Sequence, residues 1–271
     1  IECKGVSILL DAAGIEHEVT SGTTRIMCAV PSITELLFEL GLGDKVVGRT
    51  GFCFHPKDEV KRVPKIGGTK DFDLEKLRLL RPTHLIVNVD ENPKELVDSA
   101  REFIPNIVVT HPLGPKDNVS LYQLMGYLFR ATEQAKRLTE LFLRSYQSAI
   151  DQTSQLNRER VLYLIWKKPW MTIGQDTYIA RVLASVGYDQ IELNSPIRYP
   201  EIKVECLAGK VDHILLSTEP FAFRRRDVLE LEAAVCLSGK PRVSLIDGEM
   251  TSWYGSRAIQ GYDYLAAFRA A

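Results

Sequence analysis

The amino-acid sequence predicts an α/β protein with two parallel-sheet lobes, and three observations carry that prediction. Short apolar runs alternate with amphipathic segments along the 271 residues, a pattern typical of parallel sheets. The two halves of the chain resemble each other. A long helical pattern lies between the halves. We therefore expect two lobes joined by one long, rigid interdomain helix, with a ligand cleft between the lobes.

The internal repeat is clearest where each half enters a buried strand at a histidine. His84 and His213 each open an apolar run, and an acid, Asp90 or Glu219, follows that run. The matching segments are 25–30 with 160–165, 43–47 with 187–191, and 73–90 with 203–219. Two similar lobes in one chain predict a binding site between them.

The N-terminal lobe is predicted over residues 1–115. Its expected strands are 26–30, 46–47, 85–89 and 107–109, and its expected helices are 31–41, 73–80 and 93–103. Ser32, followed by Glu35 three residues later, predicts a capping box at the first helix. A cluster of Pro and Gly at 111–115 ends this lobe.

Residues 116–156 are predicted as the linking helix, because an apolar stripe recurs at helical spacing with no Gly or Pro after Gly126. At 1.5 Å per residue such a helix would span about 50 Å and act as a rigid strut. The C-terminal lobe is predicted over 157–271. Its expected strands are 161–166, 213–217 and 243–246, and its expected helices are 177–186, one containing Glu205, 225–237 and one from 256.

Charge and cysteine content exclude several classes of protein. The net charge of −1 leaves no basic surface for a nucleic-acid partner. The cysteines Cys3, Cys28, Cys53, Cys206 and Cys236 have no C-x-x-C spacing, so a disulfide framework is not expected. The patterns place Cys28 and Cys206 in the core and leave Cys53 exposed. No stretch approaches the roughly 18 apolar residues of a membrane span.

Residues 25–48 resemble the opening of the helical-backbone (class III) solute-binding proteins of ABC importers for cobalamin and ferric siderophores. The segment Val30-Pro-Ser-Ile-Thr-Glu-Leu-Leu-Phe-Glu-Leu-Gly-Leu-Gly-Asp-Lys-Val-Val-Gly48 carries most of that resemblance. Later segments agree with it: Pro64-Lys-Ile-Gly-Gly68, Met171-Thr-Ile-Gly-Gln-Asp-Thr177, Arg198-Tyr-Pro200 and residues 247–257. The similarity extends over about residues 11–271.

The resemblance implies a binding protein rather than an enzyme. It would capture a metal-chelate ligand of the cobalamin, siderophore or tetrapyrrole class and deliver it to an ABC transporter permease. We expect a monomer without a resident cofactor, periplasmic or anchored at the cell surface; a signal peptide or lipid anchor before Ile1 is left open. The family's permease-docking glutamates match Glu75 and Glu205. The alternative is that each is only an acid stabilised near a helix N-terminus.

The predicted ligand site consists of loops that leave the carboxyl ends of the strands. Aromatic rings beside polar groups suit a large, planar, semi-polar ligand, although any single ring can equally serve packing. The candidate ligand-binding residues are Cys53, His55, Glu91, Trp166, Tyr199, Glu219, Trp253, Tyr254 and Arg257. Thr69 and Val89 stand where the cobalamin-binding subgroup has tryptophans, which leaves a siderophore, a tetrapyrrole or another metal complex open.

Cys53 and His55 are the strongest chemical signal, since thiolate and imidazole are ligands for transition metals. An acid from Asp90, Glu91 or Glu219 would have to complete such a site. Two other interpretations stay open. Cys53 is an ordinary loop residue beside a His-Pro turn, or His55 donates to, or axially ligates, a bound tetrapyrrole.

Two other functions remain as alternatives. Unpaired thiols fit a reducing cytosol, which would make the protein a cytosolic carrier or sensor of the same fold. A tetrapyrrole metal chelatase also has two α/β lobes, and His55 with Glu219 would then handle metal and protons. No G-x-S-x-G, P-loop or H-E-x-x-H motif occurs, so the common hydrolase, kinase and zinc-protease classes are not supported.

Overall fold

The computed structural model describes residues 9–204, 209–234 and 241–271. The chain forms two compact α/β units that are discontinuous in sequence. Among the described residues, the first unit contains 9–112, 117–142 and 254–256, and the second contains 113–116, 143–253 and 257–271. The tripeptide Tyr254–Ser256 therefore belongs to the first unit, although the sequence analysis placed it in the C-terminal lobe.

In the first unit, strands and helices alternate as predicted. The elements are β1 Ile26–Cys28, α1 Pro31–Glu39, β2 Val46–Arg49, α2 Leu74–Leu80, β3 His84–Asn88, α3 Lys94–Ala100, β4 Asn106–Thr110 and α4 Asp117–Leu128. The four strands form a parallel sheet in the order β2-β1-β3-β4. Its core packs Met27, Leu85 and Ile107 of the strands against Leu77 of α2 and Val97 of α3.

Helix α5, Thr132–Thr153, carries the chain from the first unit into the second. The second unit then contains β5 Glu159–Trp166, β6 Met171–Thr172, α6 Tyr178–Ser185, β7 Tyr188–Gln190, β8 His213–Ser217, α7 Arg225–Ala234, β9 Arg242–Ile246, α8 Gly248–Ser252 and α9 Arg257–Ala270. Strand β5 pairs in parallel with β7 and β8, and β8 with β9, while β6 is antiparallel. The predicted helix around Glu205 falls on 205–208, outside the described residues.

The repeat predicted from the sequence is confirmed by strand order and register. The order β2-β1-β3-β4 in the first unit corresponds to β7-β5-β8-β9 in the second. The equivalent pairs are Ile26 with Val46, matching Val161 with Gln190, and Ile26 with His84, matching Val161 with His213. The same residues that aligned in the sequence therefore occupy the same sheet positions.

The amino edges of the two sheets, where the amino ends of the parallel strands lie, each carry the same hydrogen bonds. The Arg25 N–H donates to Thr83 Oγ1 at 2.9 Å, and the Arg160 N–H donates to Asp212 Oδ2 at 2.8 Å. In return, Thr83 N–H and Asp212 N–H each donate to the arginine carbonyl at 2.8 Å. The next residues are the repeated histidines; burial lowers the pKa of both to about 4, so both are neutral structural groups.

The single long helix predicted over residues 116–156 is wrong, because the chain breaks it between α4 and α5. Arg130 has a φ of 57°, in the left-handed region. The Ala131 N–H donates to the Gly126 carbonyl at 2.8 Å and the Arg130 N–H to Tyr127 at 3.4 Å, which is a Schellman ending. The Arg130 Nε holds the turn by donating to the Thr20 carbonyl at 2.9 Å. A helix end without glycine left no signal in the sequence.

The capping box predicted at Ser32 is also wrong. Helix α1 begins at Pro31, and its N-cap is Val30, which offers no side-chain acceptor. Pro fits the first helical position, since its missing N–H would have no partner there. The Thr34 hydroxyl donates to the Val30 carbonyl at 2.9 Å, so a residue inside the first turn stabilises this helix start.

Candidate functional site

Apolar side chains stay exposed at the carboxyl ends of the strands in both units. They are Phe52 and Phe54 after β2, Val89 after β3, Trp166 at the end of β5 and Ile197 after β7. Phe52 and Phe54 are each 55% exposed. Exposed apolar clusters rimmed by polar groups mark binding surfaces on globular proteins. The carboxyl edges predicted from the sequence therefore carry the features of a ligand site.

Cys53 is buried, which corrects the expectation that it is exposed. Along the loop after β2, Phe52 and Phe54 point outward while Cys53, only 1% exposed, points inward. Its Sγ lies 3.2 Å from Thr34 Oγ1 and 3.3 Å from Thr50 Oγ1. Burial raises the pKa of this thiol, so Cys53 is a neutral core group rather than a metal-binding thiolate.

His55 follows in the same loop and is half-buried. Over residues 9–204, 209–234 and 241–271, no group of three or more His, Cys, Asp or Glu side chains is placed to hold a metal ion. Direct metal ligation by a Cys53 and His55 cluster therefore has no structural support. The two other interpretations of this loop remain predictions.

At the carboxyl edge of the first sheet, two carboxylates follow β3. Asp90 Oδ2 lies 3.5 Å from His111 Nε2, and Lys70 Nζ donates to the Asp90 carbonyl at 2.6 Å. Glu91 Oε1 accepts a short hydrogen bond from the hydroxyl of Tyr254. Asp90 thus lies beside an imidazole nitrogen, and Glu91 is hydrogen-bonded to a phenol.

Tyr254 is a buried residue of the first unit, 7% exposed, and burial raises the pKa of its hydroxyl. The neighbouring Gly255 N–H donates to Asn118 Oδ1 at 2.7 Å, and the Gly255 carbonyl accepts from the Tyr122 hydroxyl at 2.9 Å. These bonds fix the Tyr254 ring beside Glu91. The sequence identified both residues but not the α4 side chains that hold them.

Glu219 lies at the carboxyl edge of the second sheet, two residues after β8. The Ser217 hydroxyl donates to the Glu219 carbonyl at 2.6 Å, which shapes the turn. Glu219 Oε1 accepts from Trp253 Nε1 at 2.6 Å and from Ser252 Oγ at 3.1 Å. Two neutral donors from the end of α8 therefore hold this carboxyl group.

The electrostatic surroundings of Glu219 are unusual for an acid. Burial raises its pKa to about 7, and the nearby Glu249 carboxylate adds to the rise. Space is tight as well, since a Cβ on Gly248 would lie 2.4 Å from Glu219 Cγ and 2.8 Å from its backbone nitrogen. Glycine at position 248 is what lets the Glu219 side chain occupy this place.

Trp253, which donates to this carboxyl group, also contacts Arg257. Trp253 is 9% exposed, and the Arg257 Cζ lies 5.5 Å from the centroid of its ring. Arg257 Nη1 is 3.4 Å from Glu249 Oε2. Helix α8 was not predicted from the sequence; Asp247 as N-cap, whose side chain accepts from Met250 N–H, was the available signal.

Trp166 and Tyr199 also lie at the carboxyl edge of the second sheet. The Trp166 ring is 40% exposed and makes an edge-to-face contact with Phe221, with centroids 5.5 Å apart. Tyr199 is half-buried, with the Arg198 Cζ 5.9 Å from its ring centroid. Aromatic faces are thus available on this edge beside Glu219's strand end.

Of the two predicted docking glutamates, the structure describes one. Glu75 is exposed in the first turn of α2, where its N–H donates to the N-cap Asp73 at 3.0 Å. Glu205 lies outside the described residues. None of the helices within the described ranges combines the length and apolar content that crossing a membrane needs.

Comparison with known proteins gives consistent results. The vitamin B12-binding protein of Photorhabdus laumondii is 22% identical over 214 residues, 79% of this chain and 78% of that protein. The structure of the periplasmic vitamin B12 binding protein BtuF of Vibrio cholerae superposes with a TM-score of 0.77 at 18% identity, covering 91% of this chain and 96% of that one. The periplasmic heme-binding protein RhuT of Roseiflexus sp. RS-1 gives 0.75 at 22% identity, covering 92% and 99%. Residues 26–219 match the periplasmic binding protein family model, so the chain belongs to that family.

Proposed function

We propose that the protein captures a metal-chelate ligand of the cobalamin, siderophore or tetrapyrrole class and delivers it to an ABC importer. The observation that carries this proposal is that aromatic rings are exposed at the carboxyl ends of the strands in both sheets. Exposed rings occur at the edge of each sheet, Phe52 and Phe54 in the first unit and Trp166 in the second, and each edge also carries polar groups. Large flat surfaces with a few polar contacts suit a planar, semi-polar ligand.

The names of related proteins support the same ligand class. Relatives that share this family or fold bind vitamin B12 or heme according to their names. Val89 is 51% exposed where the sequence resemblance would place a tryptophan in the cobalamin-binding subgroup. This difference favours a chelate other than cobalamin within the class.

Delivery to a permease is proposed from Glu75. Its carboxylate is exposed on the first turn of a helix, where it is free to meet an arginine of a membrane partner. The sequence repeat places Glu205 at the equivalent position. A periplasmic location follows from the family, and we propose that the protein acts as a monomeric carrier rather than as an enzyme.

Ligand binding is tested by titrating purified protein with hemin, cyanocobalamin and a ferric siderophore, followed by absorbance. We expect saturable, one-to-one binding of one of these chelates without turnover. Phe52→Ala, Phe54→Ala and Trp166→Ala should each weaken binding by about 1 to 3 kcal/mol if the ring stacks on the ligand. Leu79→Ala, which removes a side chain that is 81% exposed on the last turn of α2, is the matched control.

Different outcomes would support the alternatives. Equal loss of affinity in the Leu79→Ala control would show that general surface hydrophobicity, rather than these rings, attracts the chelate. Insertion of metal into a metal-free porphyrin would favour the chelatase interpretation. No binding of any chelate class would refute the proposed function.

A further inference from the structure

The hydrogen bonds of Glu219 allow its carboxyl group to gain or lose a proton. Both donors, Trp253 Nε1 and Ser252 Oγ, meet the same oxygen, Oε1. Within the described part of the chain, Oε2 receives no such donor. Hydrogen bonds to one oxygen leave the other free to carry a proton and to donate it to a ligand.

The charged groups around Glu219 do not supply a cation. The groups that face it are Tyr163 from β5, Asp247 before α8 and Glu249 on α8. Tyr163 is a neutral phenol that donates to Ser217 Oγ at 2.8 Å. Arg257 is near, but its ion pair is with Glu249. Among the described residues, no Lys, Arg or His forms an ion pair with Glu219.

A ligand that covers this group removes more water from it. Desolvation disfavours a carboxylate, and over residues 9–204, 209–234 and 241–271 no cation forms an ion pair with Glu219 that would offset that cost. A neutral or anionic ligand would therefore be bound with the carboxyl group protonated. Only a ligand that brings its own positive charge to Oε2 would keep the carboxylate form.

We propose that Glu219 makes ligand capture proton-coupled: a molecule whose Glu219 is ionised takes up one proton on binding, and the neutral acid donates from Oε2 to an uncharged or anionic oxygen acceptor of the ligand. This inference rests on the proposed function and specifies the chemistry of one contact. The proton comes from solvent, and no covalent bond to the ligand forms. The ligand class is thereby narrowed to chelates with peripheral carboxylate or amide oxygens.

The expected size of the effect follows from proton linkage. With the pKa of the free carboxyl group at about 7, affinity should be about tenfold higher at pH 6 than at pH 8. The probes are hemin, which carries two carboxylates, and cyanocobalamin, which carries amides. Glu219→Gln should remove the pH dependence contributed by this group, and Glu232→Gln, which changes an exposed acid on α7, should retain it.

A second measurement needs no ligand. The Trp253 indole N–H donates to Glu219, so its proton and nitrogen NMR shifts should titrate near pH 7 in the free protein and be flat in Glu219→Gln. Trp253→Phe assigns the resonance. Proton uptake on binding is measured by calorimetry in buffers with different ionisation enthalpies.

The outcomes separate this inference from the proposed function. Binding with unchanged pH dependence in Glu219→Gln, or an indole signal that does not titrate between pH 5 and 9, overturns the proton coupling and leaves the function intact. Proton release on binding also overturns it. Failure of hemin and cyanocobalamin to bind at any pH overturns the inference, and failure of the ferric siderophore as well overturns the proposed ligand class.

Discussion

Asp90 and Glu219 occupy equivalent positions in the two units, each two residues after the third strand of its repeat, yet their surroundings differ. In both units the residue that ends the strand shapes the turn: Asn88 Oδ1 accepts from the Asp90 N–H, and Ser217 Oγ accepts from the Glu219 N–H. The Asp90 carboxylate then lies 3.5 Å from an imidazole. The Glu219 carboxyl group contacts an indole and a hydroxyl instead.

The difference shows where the repeat has been kept and where it has diverged. The amino edges share their arginine, histidine and hydrogen bonds, which fasten the sheets. The carboxyl edges share the turn after the third strand and its acid, but the side chains that contact that acid differ. In open parallel sheets, ligands bind at the carboxyl ends of the strands. Divergence there changes the side chains that can contact a ligand, while the topology of the sheet stays the same.

The largest expected effect separates the two tryptophans of the second unit. Trp253→Ala should lower the free energy of unfolding by about 3 to 5 kcal/mol, because the ring is buried and its N–H binds Glu219. Trp166→Ala should cost clearly less, since 40% of that side chain is exposed. Denaturant unfolding of both variants measures this. Equal losses would mean that Trp166 is as much a core residue as Trp253.

The next effect distinguishes Glu219 from Asp90 by the pH dependence of the free energy of unfolding. The folded-state pKa of Glu219 lies above its ordinary value of 4.5, so the folded protein holds a proton that the unfolded chain has lost. The contribution of Glu219 to the free energy of unfolding should therefore fall as the pH rises from about 4.5 through about 7, whereas His84 and His213, with pKa values lowered to about 4, contribute a rise below about pH 6.5. Relative to the natural protein, the free energy of unfolding of Glu219→Gln should therefore increase by about 1 to 3 kcal/mol from pH 5 to pH 8.

Asp90→Asn is the matched comparison for that measurement. It changes an acid at the equivalent position whose partner is His111, and it should not show the increase expected of Glu219→Gln. Denaturant unfolding of the three proteins at pH 5 and pH 8 measures both differences. If Asp90→Asn showed the increase and Glu219→Gln did not, the assignment of the titrating group would be reversed.

A smaller effect tests whether the amino edges are truly alike. Thr83→Val and Asp212→Ala each remove the side-chain acceptor of one arginine N–H. Each should cost about 0.5 to 1.5 kcal/mol, with Asp212→Ala at the upper end, because its carboxylate also binds the Arg160 guanidinium at 2.6 Å. Chemical denaturation gives both values. A loss confined to one edge would contradict their equivalence.

The smallest effect on ligand affinity is expected at the proposed permease-docking glutamates. Glu75→Arg and Glu205→Arg should leave ligand affinity within roughly threefold, about 0.65 kcal/mol, yet impair transport with a cognate permease. Glu95→Arg reverses an exposed charge on α3 and should transport normally. Loss of ligand affinity in Glu75→Arg would place that residue in the ligand site instead.

The sequence predicted the fold well because the signals involved are periodic. Alternating apolar runs identified most of the strands, but the predicted strands did not include β7, a strand of only three residues, although the repeat aligned its segment with that of β2. Predictions failed where a single backbone conformation decided the outcome. Arg130 adopts a left-handed conformation that glycine usually occupies, so nothing in the sequence marked the end of α4.

The candidate site was predicted less completely, for a related reason. Residue type identified Glu219, Trp253 and Tyr254, but the direction of a loop side chain depends on tertiary contacts. Cys53 reads as exposed because it lies between two phenylalanines in a loop. Its Sγ contacts the hydroxyls of Thr34, which is distant in the sequence, and of Thr50, which carries no signal that would predict this contact.

The membership of Tyr254–Ser256 in the first unit has a consequence for biosynthesis. Asn118, Tyr122 and Glu91 find hydrogen-bond partners in a tripeptide that is translated after nearly all of the second unit. A nascent chain that has emerged only as far as α5 would lack the hydrogen bonds that these three side chains make to the tripeptide. The N-terminal unit therefore completes its folding after the C-terminal sheet has been synthesised, and a gene fragment encoding the first unit alone would yield an incomplete domain.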